Sequence, residues 1–270
     1  HNTAIGHDAL TALNADTADF NTAVGSGAGA AIINGQQNTF IGYTAGAGTD
    51  DGANNVAVGL AALDANCADN NTAVGHSSLG AFTGSNAVAV GSGAADAATS
   101  AGYLTAVGTN SLTELTDGTG NTAVGYGSLS RLTTGDYNTV VGHAAAEITF
   151  GDHNTFMGRY AGLYAGDTDH CIAIGSSALA GAYFSDATCD THSNTTVDCN
   201  SSAVIAVGQV VTGSGITAGT YVSAVNSAGS VTQFTLNQAA TSSLTNTSLN
   251  FFTNQGDYNI AIGNYALDAM

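Results

Sequence analysis

A five-residue phrase, Asn-Thr-Ala-Val-Gly, recurs in variant form along this chain, and its spacing constrains the fold more than any other feature. The closing glycines are Gly6, Gly25, Gly42, Gly59, Gly75, Gly91, Gly108, Gly125, Gly142, Gly158, Gly175 and Gly263. The first eleven lie 16 to 19 residues apart, most often 17, and the last gap of 88 is one repeat plus about 71 inserted residues. Repeats of this kind form stacked units, each burying its apolar surface against its neighbours. A 17-residue period is too short for the helical repeats and close to one turn of a β-solenoid.

With the glycine as position 0, position −3 is always Thr, Val or Ile, and position −1 is Val or Ile except at Met157. Such β-branched runs bounded by glycine read as short strands. Position −2 is mostly Ala where position +4 is Leu, as in Ala4 with Leu10 and Ala123 with Leu129. Where −2 is larger, +4 is smaller: Phe40 with Gly46, Phe156 with Gly162, Val140 with Ala146. Conserved joint volume places both positions in one packed space. Side chains alternate along a strand, so −3 and −1 face the other way. They are apolar too, which predicts a covering partner, either another layer of the same coil or a neighbouring chain. The Ala-Leu segment after each glycine reads as a second strand or one turn of helix. The fold expected is all-β: a parallel β-solenoid (β-roll) of about twelve coils, most simply within a symmetric bundle of identical chains.

Asparagine holds position −4 in nine copies: Asn2, Asn21, Asn38, Asn55, Asn71, Asn121, Asn138, Asn154 and Asn259. The amides read as a mixture of an axial ladder and local turn residues. Ala87, Leu104 and Cys171 interrupt the series. Solenoid repeats are expected over residues 1–182, an inserted β-sandwich-like module over 183–254, and a resumed repeat over 255–270. Within the insert, Ala203–Val211, Thr220–Val225, Val231–Leu236 and Ser248–Phe252 read as strands.

Composition excludes several functions. The 270 residues carry 20 acids, two arginines and no lysine, for a formal charge of −18. Nucleic acid is a poor partner for a chain with only two arginines and no lysine, and an anionic membrane surface repels it. No stretch is long and apolar enough for a membrane helix. Proline is absent, as expected where every strand donates to a ladder. The chain begins inside its own pattern, which reads as a processed product or a piece of a longer fibre. His1 at −5 and Met270 at +7 leave the last coil a few residues short, so one copy's end is placed to run into the next copy's start.

The Asn-Thr-Ala-Val-Gly-x-x-Ala-Leu unit resembles the repeats of phage tail-fibre proteins and related bacterial surface proteins. It is also similar to the Ser-Val-Ala-Ile-Gly repeat in the heads of trimeric autotransporter adhesins, whose period is shorter. The resemblance covers about residues 1–181 and 255–270. It implies a trimeric left-handed β-roll displayed outside a cell or on a virion. The phrase from Val211 to Thr220 resembles small β-modules of marine phage structural proteins.

Chemistry is sparse. His7, His76 and His143 share position +1, and His153 and His170 share position −5. These slots are interchangeable with Ser, Tyr or Phe elsewhere, so a surface or packing role is expected rather than catalysis. Asp50, Asp51, Asp167 and Asp169 are the densest acids and the weak calcium candidates; no cofactor is expected beyond that ion, because the known calcium loops are absent. Glu114 and Glu147 fall in unrelated links, and no phosphate loop or nucleophile elbow appears. Cys189 and Cys199, ten residues apart, are predicted to form a disulfide suited to an extracellular setting; Cys67 and Cys171 read as buried thiols. The function expected is a rigid extracellular or virion fibre. An adhesin recognising surface glycans or a receptor through the insert is the alternative, and an ice-binding solenoid is a third reading. Against the third, the Thr at −3 is followed by Ala and Val, not by a second aligned Thr.

Overall fold

The computed structural model describes residues 1–14, 16–166, 168–180, 183–199, 209–217, 220–228, 231–252, 260–263 and 266. The chain is a parallel β-solenoid with a small antiparallel β-unit inserted before its last coil. No helix occurs among the described residues.

Each repeat contributes one three-residue strand. These are β1 (Thr3–Ile5), β2 (Thr22–Val24), β3 (Thr39–Ile41), β4 (Val56–Val58), β5 (Thr72–Val74), β6 (Val88–Val90), β7 (Thr105–Val107), β8 (Thr122–Val124), β9 (Thr139–Val141), β10 (Thr155–Met157) and β11 (Ile172–Ile174). The insert follows as β12 (Tyr183–His192), β13 (Thr196–Cys199), β14 (Val210–Gly213), β15 (Val222–Ala228), β16 (Val231–Leu236) and β17 (Ser243–Phe252), and β18 (Ile260–Ile262) resumes the repeat. Strands β1 to β11 and β18 pair in sequence order into one twelve-stranded parallel sheet. Equivalent positions stand opposite one another throughout, as in Thr105 with Thr122 and Val107 with Val124. Ile172 pairs with Ile260, so the inserted residues leave the stack in register.

The coil interior is filled from three columns. Position −2 is fully buried at Ala23, Phe40, Ala73, Ala123, Val140 and Phe156. Leu63, Leu79, Leu112 and Leu129 at +4 meet it, and Ile32, Phe82, Leu115 and Leu132 at +7 close the far side. The −2/+4 volume exchange has its cause here: a methyl at Gly46 would lie 2.6 Å from the Phe40 ring, and one at Gly162 2.7 Å from Phe156.

Among the described residues, the segment after each corner glycine is neither strand nor helix. Residues at +2 and +4 take left-handed conformations, as at Asp8 (φ 57°), Leu10 (φ 54°), Asn110 (φ 54°) and Leu112 (φ 52°). Such conformations are unfavourable for side-chain-bearing residues. They persist because this wall is stitched by hydrogen bonds between coils, such as Leu112 N to Ser128 O and Glu114 N to Ser130 O, both 3.0 Å. Tertiary bonding overrides local preference in every repeat.

The insert is a six-stranded antiparallel sheet in the order β14-β17-β12-β13-β16-β15. It is one sheet curled around one core, where the sequence suggested a sandwich. Val211 N donates to Thr220 O and Val222 N to Gln209 O, so the two outer strands meet. Cys189, Val197, Val211, Val222, Phe234, Leu236, Leu249 and Phe251 form its core. The expected strand at Val231–Leu236 is β16, and β17 is longer than expected. Most of the expected Ala203–Val211 strand lies outside the described residues. The polar strands β12 and β13 were not legible in the sequence.

Candidate functional site: the outward face of the long sheet

Side-chain alternation turns −2 inward and −3 and −1 outward in every coil, giving intermediate-buried-intermediate patterns in β2, β4, β5, β7 and β8. Among the described residues no second layer covers this face. Ile41 is 40% exposed, Met157 43% and Ile262 69%. A second layer of the same coil, one of the two covers that the sequence allowed, is not found among the described residues.

The face is wider than the strands. Position −5 on one margin carries Phe20, Tyr103, Tyr137, His153 and His170, and position +1 on the other carries Tyr43, Leu60, His76, Tyr126 and His143. Phe20, Tyr43, Leu60, Tyr103, Tyr126 and Tyr137 are all exposed. These side chains stack from coil to coil: Tyr137 on His153 at 5.2 Å, His153 on His170 at 5.0 Å, Tyr126 on His143 at 5.2 Å. His143, His153 and His170 thus act as members of aromatic columns, whereas His7 bonds Asp8 at 2.8 Å.

Charge separates this strip from the rest of the chain. None of the 20 acids occupies −5, −3, −1 or +1 in any copy, while Arg159 and six of the seven histidines do. At a rise of about 3.3 Å per residue and about 4.8 Å per strand, the strip measures roughly 20 by 53 Å. That is about 1,000 Å², above the roughly 800 Å² per partner of a standard stable interface.

The other residues singled out in the sequence build the stack. Asn21, Asn38, Asn55, Asn71, Asn121, Asn138 and Asn154 are buried, while Asn2 in the first coil is exposed. Each side-chain oxygen accepts the −4 backbone N–H of the next coil, as in Asn38 N to Asn21 Oδ1 (3.0 Å) and Asn154 N to Asn138 Oδ1 (2.9 Å). Each amide nitrogen donates to a link carbonyl, as Asn138 Nδ2 does to Gly151 O at 2.9 Å. The ladder is therefore amide-to-backbone, with one amide-to-amide bond, Asn138 Nδ2 to Asn121 Oδ1. Ala87 and Cys171 end such runs but still donate their N–H groups to Asn71 and Asn154. Asn259 lies outside the described residues.

The corner glycines adopt φ between 126° and 149°. A side chain on Gly6, Gly25, Gly42, Gly59, Gly75, Gly91, Gly108, Gly125, Gly142 or Gly158 would meet the carbonyl of the next corner glycine well inside 3.0 Å. Gly175 (φ 131°) and Gly263 (φ 126°) repeat the conformation at the end of the stack.

The acids have structural work that the sequence reading missed. Position −6 is a second ladder: Ala53 N donates to Asp69, Thr119 N to Asp136, Asp136 N to Asp152 and Asp152 N to Asp169. The recurrence of Asp at −6 was the available signal. Among the calcium candidates, Asp169 is engaged in this ladder, Asp51 accepts from Asn34 at 2.8 Å, and Asp167 lies outside the described residues. Asp50 and Asp51 line a groove of about 450 Å³ with Asp69 and Thr83. No group of three or more metal-ligating side chains forms among the described residues.

Cys189 and Cys199 stand directly opposite each other in the β12–β13 register, and the Cys189 side chain is buried. Cys67 and Cys171 are buried inside the coil, with Cys67 Sγ 3.2 Å from Thr49 Oγ1. Burial pushes the Cys67 thiol pKa up, which keeps it protonated and unreactive.

Against family models, curated proteins and solved structures alike, the chain has no match.

Proposed function

We propose that this chain is the building block of a rigid extracellular or virion fibre, whose copies associate through the acid-free strip as a symmetric homotrimer. The observation that carries the reading is the coincidence, on one face, of continuous half-exposed Thr, Val and Ile columns with the absence of acids. A chain with a charge of −18 repels its own copies everywhere else. A closed symmetric assembly buries the face once per chain and leaves the acidic walls in water. Stiffness follows from the stack, since strand, amide and link hydrogen bonds tie every coil to the next.

The disulfide belongs to the same reading. Directly opposed residues on antiparallel strands have Cα atoms about 4.5–5.5 Å apart, within the range a disulfide spans. Cys189 and Cys199 are so placed, and their bond closes the β12–β13 hairpin in an oxidising environment.

Replacing Val107 and Val124 by Asp tests the association. Both side chains are only half-buried in the single chain, so the coil is expected to fold, with its β circular dichroism unchanged. The variant is expected to elute as a monomer while the parent chain is oligomeric. A double variant with the parent's mass removes the strip from the interface.

A further inference from the structure

We propose that a groove around Arg131, on the wall beside the strip, is a binding site for a neutral carbohydrate. The groove has a volume of about 320 Å³, at the lower end of ligand clefts, which run from about 300 to 1,000 Å³.

Its shape comes from one residue. Position +2 carries Asn110, Gly127 and Ala144 in three successive coils. A side-chain carbon built on Gly127 would meet nothing within 4 Å. The missing side chain opens the hollow. It does so in a column whose other members tolerate the same left-handed backbone, Gly127 at φ 61° beside Asn110 at 54°, Ala144 at 48° and Tyr160 at 60°.

Its chemistry is out of proportion to the composition. The chain has two arginines and two glutamates, and three of these four residues line this one groove: Glu114, Arg131 and Glu147. The coil stack brings together links that lie 33 positions apart. Glu114 N donates to Ser130 O, and Arg131 N to Glu147 O at 3.2 Å, so the three residues occupy consecutive rungs. The side chains of Glu114, Arg131 and Glu147 form no ion pair with one another. Asn110 and Ser130 complete the polar rim, and the exposed Tyr126 ring, held against His143, stands at one edge.

The lining selects a ligand class by elimination. A charge of −18 opposes an anionic ligand. The guanidinium offsets one of the two carboxylates, and no group of three metal-ligating side chains forms here to hold a metal ion. The lining mixes polar groups with apolar surface in similar measure, which opposes a wholly apolar ligand. A neutral polyhydroxylated ring meets all three conditions: its hydroxyls donate to the two carboxylates and accept from the guanidinium fork and the Asn110 amide, while its carbon face packs on the Tyr126 ring. The site stands on a different wall from the proposed self-association, with only Tyr126 on the shared margin, so either can fail without the other.

The test uses the full chain against gluco-, manno- and galacto-configured neutral oligosaccharides, with uronate-containing ones as the charged arm. Binding is read by saturation-transfer NMR and by calorimetry. At least one neutral member is expected to bind. Arg131→Ala and Glu147→Gln are each expected to weaken it tenfold or more. Gly127→Tyr fills the hollow with the residue that its column carries at Tyr160, and is expected to abolish binding with the β circular dichroism unchanged. The proposal is overturned if no neutral member binds, if only the uronate-containing members bind, or if folded Gly127→Tyr binds as the parent does.

Discussion

The solenoid and the inserted β-unit solve the same problem, covering backbone and apolar surface without helices, in opposite ways. The solenoid pairs every strand with the equivalent strand of the next coil, in parallel and in constant register. The inserted unit pairs long strands antiparallel, with register shifts in the β12–β17 and β15–β16 pairs, and curls until its outer strands meet. In the solenoid each column is one chemical decision repeated: an amide at −4, an inward side chain at −2, glycine at 0. In the insert each core residue, such as Phe234 packed edge-on to Phe251 at 5.4 Å, is used once. Tolerance to change therefore differs by kind of position: backbone corners in the solenoid, large side chains in the insert.

The largest expected effect lies at a corner. Gly142→Ala drives a methyl into the Gly158 carbonyl in a backbone that only glycine adopts easily. A cost of about 4 kcal/mol or more is expected. Thermal unfolding of the variant should show the solenoid transition lost or sharply lowered while the insert transition stays. In the reverse experiment, Phe234→Ala removes a fully buried ring of the insert core, at about 3–4 kcal/mol. The insert is then expected to melt early with the solenoid signal intact. If either variant lowers both transitions equally, the two regions are one cooperative unit and the comparison fails.

Next in size is Asn138→Ala. It strands the Asn154 backbone N–H and the Gly151 carbonyl, both buried. At about 1–3 kcal/mol for each unsatisfied group, a loss of about 2–6 kcal/mol is expected. The coils interrupted at Ala87 and Leu104 have no such amide, so a cavity-neutral change there should cost much less.

The smallest effect is one of sign. Burial raises the carboxyl pKa of Asp64, and that of Asp96 with a partial offset from His76. A raised folded-state pKa makes the solenoid more stable as pH falls through it and less stable as pH rises. In the insert, the Gln233 amide first and then His192 hold Asp198 below its ordinary value. Its contribution is present above the unfolded-state value of about 4 and is lost as pH falls below it. Acid is thus expected to raise the solenoid transition slightly and lower that of the insert. Asp64→Asn with Asp96→Asn should flatten the first response, and Asp198→Asn the second.

The twelve-coil stack was legible because a period averages over copies: one Ala-Leu pair means little, but Phe40 with Gly46 and Phe156 with Gly162 reveal a shared space. The left-handed wall was not legible, because Leu10 and Leu112 adopt conformations that leucine disfavours and only bonding between coils sustains. Strands β12 and β13 were hidden by their polar residues, since Asp190, Thr191 and Asp198 carry no apolar alternation. The outward face was half legible. Its Val and Ile columns were legible as an apolar face, whereas its aromatic margins and lack of acids emerge only when columns are read across coils. The Arg131 groove was invisible in sequence because stacking alone makes Glu114 and Glu147 neighbours.

Covering of the acid-free strip by other copies of this chain is open to measurement. Light scattering on the purified full chain, at micromolar concentration and moderate salt, addresses it directly. A mass three times that of the 26.5 kDa chain is expected. A 26.5 kDa monomer that persists as salt and concentration are raised would contradict it.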